Sequence, residues 1–137
     1  MAGFFGRFEH SLDAKGRVIL PAKFRQAFEH GGYFSQYHDG CLALWTPEEF
    51  EKQMVGMQNS AEAGGRDERN LARVWASGSA EVEIDKSGRM PIPQHLREFA
   101  ALAGEALVLG AIDRVELWAP SRWEEKVQPS EAQLTDA

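Results

Sequence analysis

From Phe8 to Leu20 apolar and polar positions alternate, with Phe8, Leu12, Val18 and Leu20 as candidates for one buried face. Asp13-Ala14-Lys15-Gly16 interrupts the alternation, and aspartate with glycine suits a tight bend. The pattern predicts a β-hairpin or a close relative over Phe8–Pro21, with the Asp13 carboxylate accepting from backbone N–H groups two or three positions on. The period then changes: Phe24, Ala27 and Phe28 follow Pro21 at helical spacing, so a short helix over Pro21–Phe28 should end at His30-Gly31-Gly32. Tyr33–Tyr37 and Cys41–Trp45 read as strands about His38-Asp39-Gly40. Thr46-Pro47-Glu48-Glu49 is a helix start, and that helix should reach about Met57. A linker over Asn59–Gly65 and a second helix over Arg66–Ala76 complete the first half.

The same pattern then recurs. Strands are expected over Ala80–Ile84, Met90–Ile92, Ala106–Leu109 and Val115–Trp118, with a short helix over Pro93–Phe99 and another from Ala119. Laid over Gly78–Ala100 at an offset of 72, Gly6–Phe28 is identical at seven of 23 positions. These are Gly6/Gly78, Glu9/Glu81, Asp13/Asp85, Gly16/Gly88, Arg17/Arg89, Pro21/Pro93 and Arg25/Arg97. Both copies also end alike, in Leu44-Trp45-Thr46-Pro47 and Leu117-Trp118-Ala119-Pro120. A fixed long offset signals a duplicated supersecondary unit. A unit of about 45 residues is near the limit for an independent core, so the copies should share one. The division expected is a first unit over 5–50, a helical connector over 51–77, a second unit over 78–124 and a disordered polar tail over 125–137.

Composition excludes more than it selects. With 43% hydrophobic and 26% charged residues the chain reads as a soluble globular protein. No apolar run nears the roughly 20 residues of a membrane span, and the N-terminus lacks the pattern of a signal peptide. A single cysteine, Cys41, excludes an internal disulfide framework, so a cytoplasmic location is expected. The histidines His10, His30, His38 and His95 have no metal-ligand spacing. No glycine-rich phosphate loop is present, and His38-Asp39-Gly40-Cys41 reads as a turn and a strand start rather than a catalytic pair. The expectation is a non-enzyme with no cofactor, no metal, no membrane partner and no small-molecule substrate. The net charge of −6 hides a local basic excess, since Lys15, Arg17, Lys23 and Arg25 face only Asp13 within Asp13–Arg25. Charges farther apart than about 8 Å are largely screened at physiological salt, so an acidic chain can still present a basic patch.

Asp13-Ala14-Lys15-Gly16-Arg17 through Pro21 and Arg25 resembles the first signature of the bacterial MraZ proteins, and Asp85-Lys86-Ser87-Gly88-Arg89 through Pro93 and Arg97 the second. The resemblance covers roughly Phe5–Trp123. It implies an α+β fold in which two AbrB-like swapped-hairpin units form a pseudodimeric β-barrel with short flanking helices. It also implies a transcriptional regulator of the division and cell-wall gene cluster, nucleoid-associated, assembled into rings on direct repeats of double-stranded DNA upstream of its own operon, with repression as the expected sign. The family's motif arginines fall on Arg17 and Arg89, with Asp13 and Asp85 as their partners.

The residues themselves support a DNA face. Arginine's planar fork bonds phosphate or a guanine edge, and β-ribbons enter the major groove. Lys15, Arg17, Lys86 and Arg89 therefore lead the candidate contacts, with Arg25 and Arg97 on the short helices equally readable as solvated surface. Asp13 and Asp85 read as turn formers that orient the arginines, and the alternative for Arg17 and Arg89 is an ion pair within their own turn. Trp45, Trp118 and Trp123 read as core or interface anchors, and Trp75 as serving the connector or a subunit interface. Pro91 stands where an aliphatic strand residue fits the pattern better, and it predicts a shorter second hairpin or an edge strand, which ranks Arg17 above Arg89. The rival function is a protein-interaction module of the antitoxin kind.

Overall fold

A computed structural model describes residues 3–136. The first half runs β1 (Arg7–Ser11), β2 (Arg17–Ile19), α1 (Ala22–Arg25), β3 (Gly32–Gln36), β4 (Leu42–Trp45), α2 (Pro47–Ala63) and α3 (Arg66–Gly78). The second half runs β5 (Ala80–Val82), β6 (Arg89–Pro91), α4 (Gln94–Phe99), β7 (Glu105–Gly110), β8 (Val115–Trp118), α5 (Pro120–Lys126) and α6 (Ala132–Thr135).

Six strands form one antiparallel sheet in the order β1-β7-β8-β4-β3-β5. In terms of the duplication this order is a palindrome. Its centre is the β4–β8 pair, and each unit lends its first strand to the other: β1 pairs with β7 (Phe8 opposite Val108) and β5 with β3 (Tyr33 opposite Glu81). The second strands, β2 and β6, form a separate ladder with Val18 opposite Met90. Over Phe8–Pro21 the expected turn is kept, but its two strands pair with the other unit instead of with each other. The chain does turn at Asp13–Gly16, where the Asp13 N–H donates to Arg17 O at 2.9 Å and the Gly16 N–H to Asp13 O at 3.0 Å. Beyond the turn, however, β1 and β2 find different partners, because short strands paired only locally would leave Val18 and Leu20 uncovered.

The expected closed barrel is also corrected: the sheet is open, ending at β1 and β5. The β2–β6 ladder lies over one of its faces instead of joining its edges. Val18, Leu20, Phe24, Met90, Ile92 and Leu96 from that cover meet Phe34, Leu42, Leu44, Val108, Val115 and Leu117 of the sheet in one shared core. The opposite face is covered as well. Ala43 and Trp45 pack under Phe50 and Trp75, while Leu107, Leu109 and Trp118 pack with Trp123 and Val127. With both faces covered, β4 and β8 are buried at every position. The aromatic residues at the matching unit ends are thus core anchors, and Trp45 Nε1 donates to Ser35 Oγ at 2.9 Å.

Three departures from expectation stand out. The helix capped by Thr46, whose Oγ1 accepts from the Glu49 N–H at 3.3 Å, continues to Ala63 and not Met57, through Gly56 and most of the expected linker, until Gly64-Gly65 ends it. The strand expected to reach Ile84 stops at Val82. In place of a disordered tail, Gln128–Glu131 forms a 3-10 turn and Ala132–Thr135 a single helical turn, with no buried residue in either.

Candidate nucleic-acid interface

Each duplicated turn is built in the same way. Asp13 Oδ1 accepts from the backbone N–H groups of Lys15 and Arg17, both at 2.9 Å, and Oδ2 accepts from Arg17 Nε at 2.7 Å. Asp85 Oδ1 accepts from the N–H groups of Ser87 and Arg89 at 2.9 Å, and Oδ2 from Arg89 Nε at 2.6 Å. The in-turn ion pair is thus present in both copies. It occupies one of the five N–H donors of each guanidinium, and the terminal nitrogens bond no other group among the described residues. Lys15 and Lys86 are exposed beside them, while Arg17 and Arg89 have side chains 27% and 42% exposed.

The ladder joins the two turns. Leu20 N–H donates to Gly88 O at 2.7 Å and Ile92 N–H to Gly16 O at 3.1 Å. The bonded pairs therefore fall at even-numbered positions, and the odd positions direct their N–H groups away from the partner strand. Pro91 lies at such a position, so it removes no ladder donor. The expectation of a shorter second hairpin or an edge strand holds: β5 has three residues where β1 has five, β2 and β6 have three each, and in a two-stranded ladder β6 is an edge strand. Because no ladder donor is lost at Pro91, this gives no reason to rank Arg17 above Arg89.

A reciprocal contact was hidden in the sequence. The guanidinium of Arg97 packs on Gly16, and that of Arg25 on Gly88, so the short helix of each unit clamps the turn of the other. Arg25 Nε also donates to Leu20 O at 2.9 Å. Each end of the ladder is composite: Lys15, Arg17 and Arg97 gather at one end, Lys86, Arg89 and Arg25 at the other. The signal was the shared identity of both glycines and both arginines at matching spacing, which the turn explains only for the glycines. Gly16 has φ +72° with no room for a Cβ beside Arg97, and Gly88 φ +84° beside Arg25. Gly16→Ala is expected to cost about 1–2 kcal/mol from the left-handed backbone alone and to displace Arg97. Denaturant unfolding checks the first effect, and a wild-type stability would contradict it.

Donation from the Arg17 N–H, against some desolvation and with further help from the Arg17 side chain and the Lys15 N–H, holds the Asp13 carboxyl below the ordinary aspartate range. Asp85 is lowered in the same way, first by the Arg89 N–H. A carboxyl that is harder to protonate folded than unfolded stabilises the fold above its unfolded value, near 3.9, and that contribution is lost as pH falls through the folded value. The stability difference between wild type and Asp13→Asn/Asp85→Asn should therefore be constant near neutrality and shrink below about pH 4. Urea midpoints against pH check this, and a pH-independent difference would contradict it.

Other charged groups are engaged elsewhere. Arg114 lies over the Tyr37 ring at 4.6 Å and bonds Glu116 and Asp113, both at 2.8 Å, while Glu116 also accepts from Trp118 Nε1 at 2.9 Å. Cys41 is buried and its thiol is pushed far up by burial and the Glu116 charge, which makes it a core residue rather than a nucleophile. Among the described residues, no three His, Cys, Asp or Glu side chains are grouped to hold a metal ion, and no helix is long and apolar enough to cross a membrane.

Comparison with known proteins agrees with the duplication. The family model described as MraZ protein, with the further label antitoxin-like, matches residues 4–73 and again 76–137. A transcriptional regulator MraZ of Acetivibrio thermocellus is 40% identical over 121 residues, covering 88% of this chain and 84% of the relative. Transcriptional regulators MraZ of Roseiflexus sp. (strain RS-1) and Roseiflexus castenholzii are each 36% identical over 129 residues, covering 94% of this chain and 90% of the relative. These relatives are named as regulators and not as enzymes.

Proposed function

The chain belongs to the MraZ family of transcriptional regulators, and on that premise we propose that it reads DNA through the outer face of the β2–β6 ladder. The target is the set of direct repeats in its own promoter region, within the division and cell-wall gene cluster, bound by a ring of copies that represses transcription. Work on DNA places it in the cytoplasm at the nucleoid. We take the exchange of first strands between the units as the AbrB-like swapped-hairpin plan.

One observation carries the reading. Two aspartate-braced arginines stand diagonally across a two-stranded ladder, about 7–8 Å apart at the backbone, on a chain whose net charge of −6 would otherwise repel nucleic acid. Bracing fixes each guanidinium before binding and so reduces the side-chain entropy lost on DNA. Lys15, Lys86, Arg25 and Arg97 flank the pair as phosphate contacts, each neutralised phosphate adding about 0.9 to the salt slope. One copy offers few such contacts. Linking copies in a ring raises the effective concentration at neighbouring repeats and adds avidity of about 10²–10⁴.

Fluorescence anisotropy across a salt series, with one, two and four copies of the upstream repeat, tests the proposal, alongside light scattering for the assembly. Affinity should rise steeply with repeat number and fall with salt. Equal affinity for shuffled DNA, or a monomer by light scattering, would contradict it. The first of those outcomes favours the rival protein-interaction reading that the antitoxin-like label of the family suggests.

A further inference from the structure

The outer face of the ladder holds four side chains. Because Val18, Leu20, Met90 and Ile92 are buried, Arg17, Ile19, Arg89 and Pro91 point the other way. The register sets Arg17 opposite Pro91 and Ile19 opposite Arg89, so two arginines and two apolar residues alternate around a square. Ile19 is 38% exposed and Pro91 is exposed. They are the same position of the two units, 72 apart. A single exposed apolar residue needs no explanation. Here both copies keep a solvent-facing apolar residue between basic groups, at sites where neither the ladder nor the core needs one.

We propose that Ile19, with Pro91 beside it, contacts thymine 5-methyl groups in the major groove and supplies specificity that the arginines cannot. This rests on the DNA reading above. The groove, about 12 Å wide, admits a two-stranded ribbon, and thymine alone among the four bases displays a methyl group there. The local charge selects a polyanion as the occupant. Both carboxylates of the face, Asp13 and Asp85, are spent on their own turns, while Lys15, Lys86 and the terminal guanidinium nitrogens remain. With the arginines on guanine edges or phosphates, the apolar pair between them meets the base edges next in line. Ile19 extends farther from the backbone than the Pro91 ring, so the units read unequally and the face has a polarity. That suits repeats in one direction better than a palindrome.

The test replaces each thymine of the bound upstream repeat in turn by deoxyuridine, which removes only the methyl group. Binding is measured for wild type, Ile19→Ala and Ile19→Val, with circular dichroism as the check on folding. One or two positions should weaken wild-type binding about fourfold, the worth of one buried methyl-sized group. Ile19→Ala should lose as much on thymine DNA and be indifferent to deoxyuridine at those positions, with Ile19→Val in between. Uniform wild-type affinity across the scan, or undiminished methyl sensitivity in Ile19→Ala, would overturn the proposal while leaving an Arg17-dependent DNA reader intact. No binding to the upstream DNA by wild type would overturn both.

Discussion

Arg17→Ala is expected to weaken binding to the upstream repeats by roughly ten- to hundredfold for each base edge that the guanidinium no longer bonds, the usual worth of a bidentate arginine there. On a ring the deficit recurs in every subunit, so specific binding should vanish at concentrations where wild type saturates. Arg89→Ala should behave alike, since Arg89 has the same three-bond brace from Asp85 and a side chain more exposed than that of Arg17. The fold should survive. Both arginines lie on the outer face of the ladder, and an ion pair at the surface contributes little to stability. Anisotropy against upstream and shuffled DNA measures the effect. Lysine substitutions should recover only part of it, because a point charge replaces phosphate attraction but not a planar fork. Full rescue by lysine would reduce the arginines to unspecific attraction.

The second large effect is on folding. Phe34→Ala should destabilise the protein by about 3–5 kcal/mol, a large share of the roughly 5–15 kcal/mol of a typical domain. Phe34 is fully buried in the first unit, between Leu44 of its own unit and Ala80, the start of the strand lent by the second. It joins the core that includes Met90, Ile92, Leu96 and Val108. With strands exchanged, neither unit can keep its sheet when the other loses packing, so calorimetry should show one transition at a lower midpoint. Two separated transitions, one unchanged by the substitution, would mean that the units have independent cores.

Much of this was legible in the chain. The offset of 72 between the two Asp-x-x-Gly-Arg turns announced the pseudosymmetry, and alternation located the strands to within a few residues. Asp13 as a turn-forming acceptor and Thr46 as a cap follow from local chemistry, and both take those roles. Pairing was legible only in outline: hairpins too short to stand alone pointed to interleaved units, but not to which strands pair. Alternation shows which side chains of Val18–Leu20 are buried but not which strand lies beside them, and a short turn makes a local hairpin look sufficient. Only the need to cover both units at once sends β1 to β7 and β2 to β6. Pro91 was legible in part: its edge position follows from the residue itself, but whether it removes a ladder donor depends on which way its missing N–H would point, a property of register. Arg25 and Arg97 read equally as solvated surface or as phosphate contacts on their short helices, and their packing was hidden because the glycines they cover belong to the other unit.

Hydrogen-exchange mass spectrometry of the protein with and without its upstream repeat DNA tests the central claim most directly. Protection should appear in both halves together, over 13–25 and 85–97, and leave the α2–α3 hairpin unchanged. Protection confined to that hairpin, or absent from both turns, would contradict a DNA face built on the duplicated ladder.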